Sequence, residues 1–179
     1  RLPRVLMAGI LGGSLALSGF LLQTFFSNPI AGPYVLGISS GAKMMVALAM
    51  IIFLIYYTLV SSYILIIAAF IGSMLSIGFI LLLARKIRNM ATLLVGGIMI
   101  GYICSAVTDF VVTFAEDSDI VNLHGWSQGS FSGMSWSNVK VAALMVGITL
   151  ILTFFLSKPI GAYQLGEMYA QRMGGNIRV

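Results

Sequence analysis

Ser39, which lies between Gly37 and Gly41, is a candidate nucleophile. Residues 37–41, Gly-Ile-Ser-Ser-Gly, fit the G-x-S-x-G pattern of hydrolases whose serine lies on a sharp turn. The base would have to be His124, because the sequence has one histidine. A serine hydrolase needs nucleophile and base within hydrogen-bond reach. The topology that the apolar runs predict puts Ser39 near the inner face and His124 on the outer side, which argues against an intramembrane enzyme.

Asp109 is the acidic residue that falls inside a predicted membrane span. A carboxylate at that depth is by default a candidate functional site. The alternative is that it only reaches the outer interface, together with the acidic residues at 116–119. No second acidic residue lies within a span, so the sequence offers no proton relay. A secondary transporter or channel subunit that works without ATP therefore remains an alternative with a single candidate ion ligand.

The sequence lacks the residues that a metal centre or a nucleotide site needs. It has one histidine and one cysteine, Cys104, and they lie on different elements. Metal sites require several such ligands close together, and one cysteine excludes an internal disulfide. No G-x-x-x-x-G-K-[ST] loop is present. We therefore expect this chain to bind no metal or cofactor, and any ATP to be hydrolysed by a partner.

The composition is that of a membrane protein. Hydrophobic residues make up 59% of the sequence and charged residues 8%, with a mean hydropathy of +1.03. A soluble domain of this size could not bury so much apolar surface, so most of it must contact lipid. The net charge of +5 is then typical of cytoplasmic loops and not of nucleic-acid binding.

The apolar runs predict an all-α bundle of five spans, each close to the roughly 20 residues that cross a hydrocarbon core. They cover residues 5–26, 43–60, 63–84, 91–114 and 139–156. Two prolines and three glycines in residues 27–42 predict a turn or broken segment instead of a helix. Tryptophans that bracket glycines and serines predict an outer loop with an interfacial helix over residues 115–137.

The distribution of lysine and arginine predicts the orientation of these spans. Taking residues 85–88 as cytoplasmic places seven basic residues inside and three outside, in agreement with the positive-inside rule. Those inside are Lys43, Arg85, Lys86, Arg88, Lys158, Arg172 and Arg178, and those outside are Arg1, Arg4 and Lys140. The segment after the last span then faces the cytoplasm.

That last segment predicts a short amphipathic helix over residues 164–174. Pro159 and Gly161 stop the preceding apolar run, so a new element should begin beyond them. Apolar side chains then recur at spacings of three and four, until two glycines end the pattern. Such a helix can lie in the lipid interface or dock against another protein, and the pattern alone leaves both open.

Several motifs, in order along the chain, resemble the permeases of ABC importers for iron-siderophores, haem and cobalamin. The most specific is NPIAGPYVLGISSGA at 28–42, similar to the family pattern N-P-L-A-x-P-x-x-L-G-x-x-x-G-A with Ile30 in place of Leu. RLPR at 1–4, LLVGGIMIGYICSA at 93–106, WSQGSFSGMSW at 126–136 and LGEMYAQRMG at 165–174 continue the resemblance. In the last of these, Met173 replaces the usual Leu.

The resemblance implies roles for these motifs and a set of partners. Residues 164–174 become the coupling helix that enters a cleft of the ATPase, with Leu165, Gly166, Glu167, Ala170 and Gly174 as its candidate residues. Arg1 and Arg4 match arginines that pair with acidic residues of a substrate-binding protein, although interfacial anchoring is the plain alternative. The family's loop motif falls on Asn28, Pro29, Pro33, Gly37 and Gly41.

Family permeases have about ten spans and work as a dimer with two ATPase subunits, and this chain resembles spans two to six. We therefore expect an N-terminal half fragment of a permease that pairs with a second permease subunit, in a homodimer, with two ATP-binding subunits and with an extracytoplasmic binding protein. The resemblance implies the cytoplasmic membrane of a bacterium or archaeon. It also implies ATP-driven import of an iron-siderophore, haem or cobalamin, with no catalysis by this chain. The carried chelate is not indicated.

Overall fold

The computed structural model describes residues 1–56, 62–87 and 89–164, and the regular structure within them is helical. The helices are α1 Leu2–Phe26, α2 Ile38–Tyr56, α3 Ser62–Ala84, α4 Met90–Val112, α5 Asp117–Gln128, α6 Trp136–Phe155 and α7 Ser157–Gln164. Within the described residues, α1, α3, α4 and α6 are long and apolar enough to cross a membrane. The predicted all-α membrane bundle is confirmed. The predicted span 43–60 overlaps α2, and its residues 57–60 lie outside the described residues.

The chain forms two compact units. The first contains residues Arg1–Ile30 and the described residues from Phe131 onward. In this unit α6 packs along α1, and α7 contacts both helices. Most apolar side chains of α1 and α6 are exposed, among them Phe154 and Phe155 at 75% and 76%. An apolar surface of this extent indicates that lipid or other membrane helices cover it.

The second unit contains residues Ala31–Ser130. Here α2 packs against α3, α4 and α5, and α3 packs against α4. A buried cluster joins α2, α3 and α5, formed by Val46, Ala47, Met50, Ala68 and Leu123. The central helix α2 is therefore the element against which the other three are arranged.

Local capping explains where several helices begin. Pro3 lies in the first turn of α1, where its missing N–H leaves no helical hydrogen bond unmade. Asn89 precedes α4, and its Oδ1 accepts hydrogen bonds from Ala91 N at 2.9 Å and Thr92 N at 3.4 Å. The Oγ of Ser135 accepts one from Asn138 N at 3.4 Å ahead of α6. Each cap satisfies a backbone donor at a helix start.

The prediction that residues 27–42 form a turn or broken segment is wrong for its last five residues. The chain is irregular up to Gly37, and α2 begins at Ile38. Gly37 has a φ of 71°, which an L-residue rarely adopts, and this glycine ends the turn. Beyond it, glycine and serine are helical because neighbouring helices pack directly against the backbone.

The prediction that Pro159 and Gly161 exclude a helix until residue 164 is also wrong. α6 ends at Phe155, and α7 begins at Ser157 and runs through both residues to Gln164. Pro159 occupies the first turn of α7, the position in a helix that tolerates proline. The proline therefore marks the start of a helix here and not an interruption.

The segment predicted as an outer loop with an interfacial helix, residues 115–137, contains α5 and the start of α6. α5 carries Asp117 and Asp119 in its first turn, where acidic side chains favour the positive end of the helix dipole. Trp126 lies in the last turn of α5, whereas Trp136 is the first residue of α6. The two tryptophans thus flank a short irregular connection.

Candidate functional site

The start of the loop motif is a tight turn that follows α1. Ser27 has a left-handed backbone conformation with a φ of 48°, and the backbone N–H of Asn28 donates to Gln23 O at 3.1 Å. The side-chain Oδ1 of Asn28 accepts a hydrogen bond from Ile30 N at 3.0 Å, across Pro29, which has no N–H of its own. Asn28 and Pro29 therefore shape the backbone that leaves α1.

The middle of the motif continues as a turn that leads into α2. Pro33 lies in this turn, in which Leu36 N donates to Gly32 O at 3.0 Å and Gly37 N donates to Tyr34 O at 3.2 Å. The side chain of Leu36 is 1% exposed. This turn fixes the point at which α2 begins.

Gly37 brings the turn into direct contact with α4. A Cβ atom built on Gly37 would lie 2.6 Å from Gly101 N and 3.0 Å from Gly97 O. Gly97 and Gly101 are one helical turn apart on α4, and a Cβ on Gly97 would in turn lie 2.8 Å from Leu36 Cδ2. Any side chain at Gly37 would therefore have to push the turn away from the α4 backbone.

Gly41 makes the corresponding contact with α3. A Cβ on Gly41 would overlap Ser76 Oγ and lie 2.8 Å from the carbonyl oxygen of Gly72. Gly72 and Ser76 are one turn apart on α3, and both are buried. The two glycines of the motif thus seat the start of α2 against α4 and α3, and small residues let the helices approach this closely.

The serine-histidine pair of a hydrolase is not formed. Ser39 lies in the first turn of α2 between the two packed glycines, and its side chain is half-buried. His124 is exposed on α5, and its Nε2 lies 2.9 Å from Gln128 Nε2 on the same helix. Ser39 is therefore part of a packing motif.

Asp109 lies on the last turn of α4, and its side chain is exposed. Its backbone carbonyl accepts hydrogen bonds from Thr113 N at 3.2 Å and Thr113 Oγ1 at 3.0 Å. Those contacts end the helix and do not involve the carboxylate. Both interpretations of Asp109 given above stay predictions.

Arg1 and Arg4 lie together at the start of α1, and both side chains are exposed. Arg4 Nη2 donates a hydrogen bond of 2.7 Å to the backbone carbonyl oxygen of Ser132. Ser132 lies just before α6, in the irregular connection within the tryptophan-bracketed motif at 126–136. No sequence pattern predicts a role for Ser132, because the contact uses its backbone and places no constraint on its side chain.

This hydrogen bond defines the relative direction of two spans. It joins the first turn of α1 to the residues immediately before α6, and the two helices pack along each other. α1 and α6 therefore run in the same direction, with both N-termini at one end of this unit. α7 follows the C-terminal end of α6 and contacts α1 as well.

The residues predicted to couple to an ATPase, Leu165, Gly166, Glu167, Ala170 and Gly174, lie outside the described residues. The last described helix, α7, ends at Gln164, one residue before Leu165. α7 is thus the element that connects α6 to the predicted coupling segment.

Curated proteins similar to this chain are membrane permeases. It is 36% identical over 179 residues to the hemin transport system permease protein HmuU of Yersinia pestis, covering 99% of this chain and 54% of that protein. It is 34% identical over 176 residues to the vitamin B12 import system permease protein BtuC of Klebsiella pneumoniae, covering 97% of this chain and 51% of that protein. The chain spans about half the length of the curated relatives it matches.

A solved structure has the same fold. It is a transporter described as of metal-chelate ABC type, in an inward-facing conformation, and the superposition has a TM-score of 0.83 with 24% sequence identity. The match covers 99% of this chain and 56% of that one. The family model of the FecCD transport family matches residues 1–179, the whole of this sequence. The chain is an integral membrane protein that belongs to the FecCD transport family.

Proposed function

We propose that this chain is part of the permease subunit of an ATP-driven importer for an iron-siderophore, haem or cobalamin. The observation that carries the proposal is the match of the whole chain to the FecCD transport family. The similarity to a hemin permease and to vitamin B12 permeases supports a bulky metal-containing ligand. In this proposal the cargo is transported and is not a resident cofactor, and the chain catalyses no reaction.

The proposed complex consists of this permease and a second permease subunit, two ATP-binding subunits and an extracytoplasmic substrate-binding protein, in the cytoplasmic membrane of a bacterium or archaeon. Homodimerisation of the permease is part of the proposal. ATP is bound and hydrolysed by the partner subunits. Lipid or other membrane helices of the complex cover the exposed apolar faces of α1 and α6.

The two ends of the first unit, which contains α1, α6 and α7, suit two different partners. Arg1 and Arg4 lie at the end where both helices begin, and we assign this end to the outside, where it receives acidic side chains of the binding protein. The opposite end carries α7, which leads to residues 164–174, and we assign it to the ATPase. The parallel packing of α1 and α6 supports this separation, since it keeps the two ends a full helix length apart.

Alternating access follows from this arrangement. Closure of the ATPase subunits moves the coupling helix, and α7 passes that movement to α6 and α1 because it contacts both. The buried glycine contacts between α2, α3 and α4 keep the second unit close-packed while the complex changes shape. Transport then requires no cluster of charged side chains inside the spans, since the cargo passes through a wide cavity between subunits.

The proposal is tested by reconstituting the permease that carries this segment with its ATPase subunits in proteoliposomes. Uptake of hemin, cobalamin and a ferric siderophore is measured with the binding protein encoded beside the permease. We expect accumulation of one of the three that requires ATP and is lost when the phosphate-loop lysine of the ATPase is replaced. Accumulation driven by an ion gradient without ATP would assign the chain to a secondary transporter.

A further inference from the structure

The connection between α5 and α6 contains a turn that presents a backbone carbonyl to Arg4. Met134 N donates to Phe131 O at 3.3 Å, so residues 131–134 form a hydrogen-bonded turn with Ser132 and Gly133 at its centre. The carbonyl of Ser132 belongs to the central peptide of the turn and is not used by the turn's own hydrogen bond. This is the oxygen that accepts from Arg4 Nη2 at 2.7 Å.

The turn is fixed to the start of α6. Ser135 caps α6 through its Oγ. Asn138, in the first turn of α6, has its Nδ2 3.7 Å from Met134 Sδ. The side chain of Val139 is buried and anchors the first turns of α6. The Ser132 carbonyl therefore has a defined position relative to α6, and through α6 relative to α1.

The bond to Ser132 leaves Arg4 able to bind a partner at the same time. A guanidinium has five N–H donors in one rigid plane, and a carboxylate takes two of them side by side. Arg4 uses one donor on Ser132, which restrains the orientation of the guanidinium, and its side chain is still exposed. Arg1 is the N-cap residue of α1 and is also exposed.

We propose that the turn at residues 131–134 is a positioning element that holds the guanidinium of Arg4 in the orientation required by a carboxylate of the substrate-binding protein. The proposal rests on the docking role of Arg4 given above and adds a role for the tryptophan-bracketed motif. Pre-orientation of the guanidinium lowers the entropy lost on binding. It acts at short range, so it slows dissociation and leaves the charge-driven association rate unchanged.

Two variants of Gly133 test the turn without changing any charge. Neither Ser132 nor Gly133 has a left-handed φ, and no atom lies within 4 Å of a Cβ built on Gly133. Gly133→Ala should therefore keep the turn. Gly133→Pro should break it, because proline at the third position of such a turn forces the preceding residue out of the helical region.

Binding kinetics of the binding protein are measured on the assembled transporter in nanodiscs. We expect Gly133→Pro to raise the dissociation rate about tenfold, with the association rate and its salt dependence unchanged. Gly133→Ala should change the dissociation rate by less than about twofold. In an Arg4→Ala background Gly133→Pro should add nothing, whereas in an Arg1→Ala background its effect should persist. An equal effect of Gly133→Pro in both backgrounds would overturn the positioning role.

Arg4→Lys provides an independent test that does not depend on the fold of the turn. Lysine keeps the charge but has no planar fork, so the association rate should be unchanged and the dissociation rate should rise. The hydrogen bond to Ser132 comes from Arg4 and not from Arg1. Arg1→Lys should therefore raise the dissociation rate less than Arg4→Lys does. Equal effects of the two lysine variants would contradict the proposal. If Arg1→Glu and Arg4→Glu both keep the native affinity for the binding protein, the docking function itself is refuted.

Discussion

Gly37 and Gly101 bring the turn before α2 and the backbone of α4 so close together that a Cβ on Gly37 would lie 2.6 Å from Gly101 N. Gly37 also has a φ of 71°. The conformation and the contact both exclude a side chain, and they do so at a residue of the family's loop motif. The motif therefore acts within this chain by seating α2 in the second unit.

Gly37→Ala should destabilise the permease by about 2–4 kcal/mol, because it combines backbone strain with overpacking against α4. Denaturant unfolding in detergent micelles measures this change. Gly78→Ala on α3 is the matched control, since no atom lies within 4 Å of a Cβ there. The control should be neutral or stabilising by up to about 1 kcal/mol. Equal stability of the two variants would contradict the packing described for Gly37.

Gly41→Ala should also destabilise the protein, by about 1–3 kcal/mol, because its Cβ meets α3. Adding Ser76→Ala removes the Oγ that this Cβ overlaps, but the carbonyl of Gly72 stays at 2.8 Å. The double variant should therefore recover only part of the loss in the same unfolding measurement. Full recovery would mean that the α3 backbone can move away, and no recovery would mean that Ser76 is not the obstacle.

Reversal of the charges on Arg1 and Arg4 should weaken docking of the binding protein. We expect the Arg1→Glu, Arg4→Glu double variant to lose about tenfold or more in affinity at low salt, because like charges then face the partner's carboxylates. Lys158→Glu changes a charge of the same kind on α7, at the opposite end of the unit, and should change affinity by less than about twofold. Surface plasmon resonance on nanodiscs gives both values. Unchanged affinity of the double variant at low salt would remove the docking assignment.

Changes in the predicted coupling helix should separate ATP hydrolysis from uptake. Glu167→Lys and Ala170→Trp alter residues proposed to enter the ATPase cleft. These variants should uncouple ATP hydrolysis from uptake. Glu116→Lys reverses a charge at the start of α5 and should leave both normal. Normal uptake and normal stimulated ATPase activity in both coupling variants would show that the coupling role is wrong.

Hydropathy predicted the membrane class of this chain because lipid as solvent dominates every other constraint on composition. Composition did not predict the local structure at positions where contacts between helices determine it. Residues 38–42 are rich in glycine and serine and therefore predicted a loop, yet they are helical because α3 and α4 press against the Gly41 and Gly37 backbone. No local pattern in the sequence encodes those partners.

The end of the first unit at which α1 and α6 begin shows a second limit of sequence patterns. Arg4 is evident as a charge near a span, but its partner is the backbone carbonyl of Ser132, 128 residues further along the chain. A carbonyl is present in every residue, so nothing distinguishes this one before the fold is known. At the other end, Pro159 predicted an interruption of helical structure, but it lies in the first turn of α7. The effect of a proline depends on its position in a helix.

The proposed import mechanism requires a bundle that binds the substrate-binding protein at one end and the ATPase at the other. Single-cysteine labelling with a membrane-impermeant maleimide tests this directly, in a Cys104→Ala background that removes the native thiol. Lys86→Cys and Glu167→Cys should be labelled only from the cytoplasmic side, and Ser137→Cys in the first turn of α6 only from outside. Labelling of Lys86→Cys and Glu167→Cys from opposite sides, or of Ser137→Cys from the cytoplasm, would contradict the account.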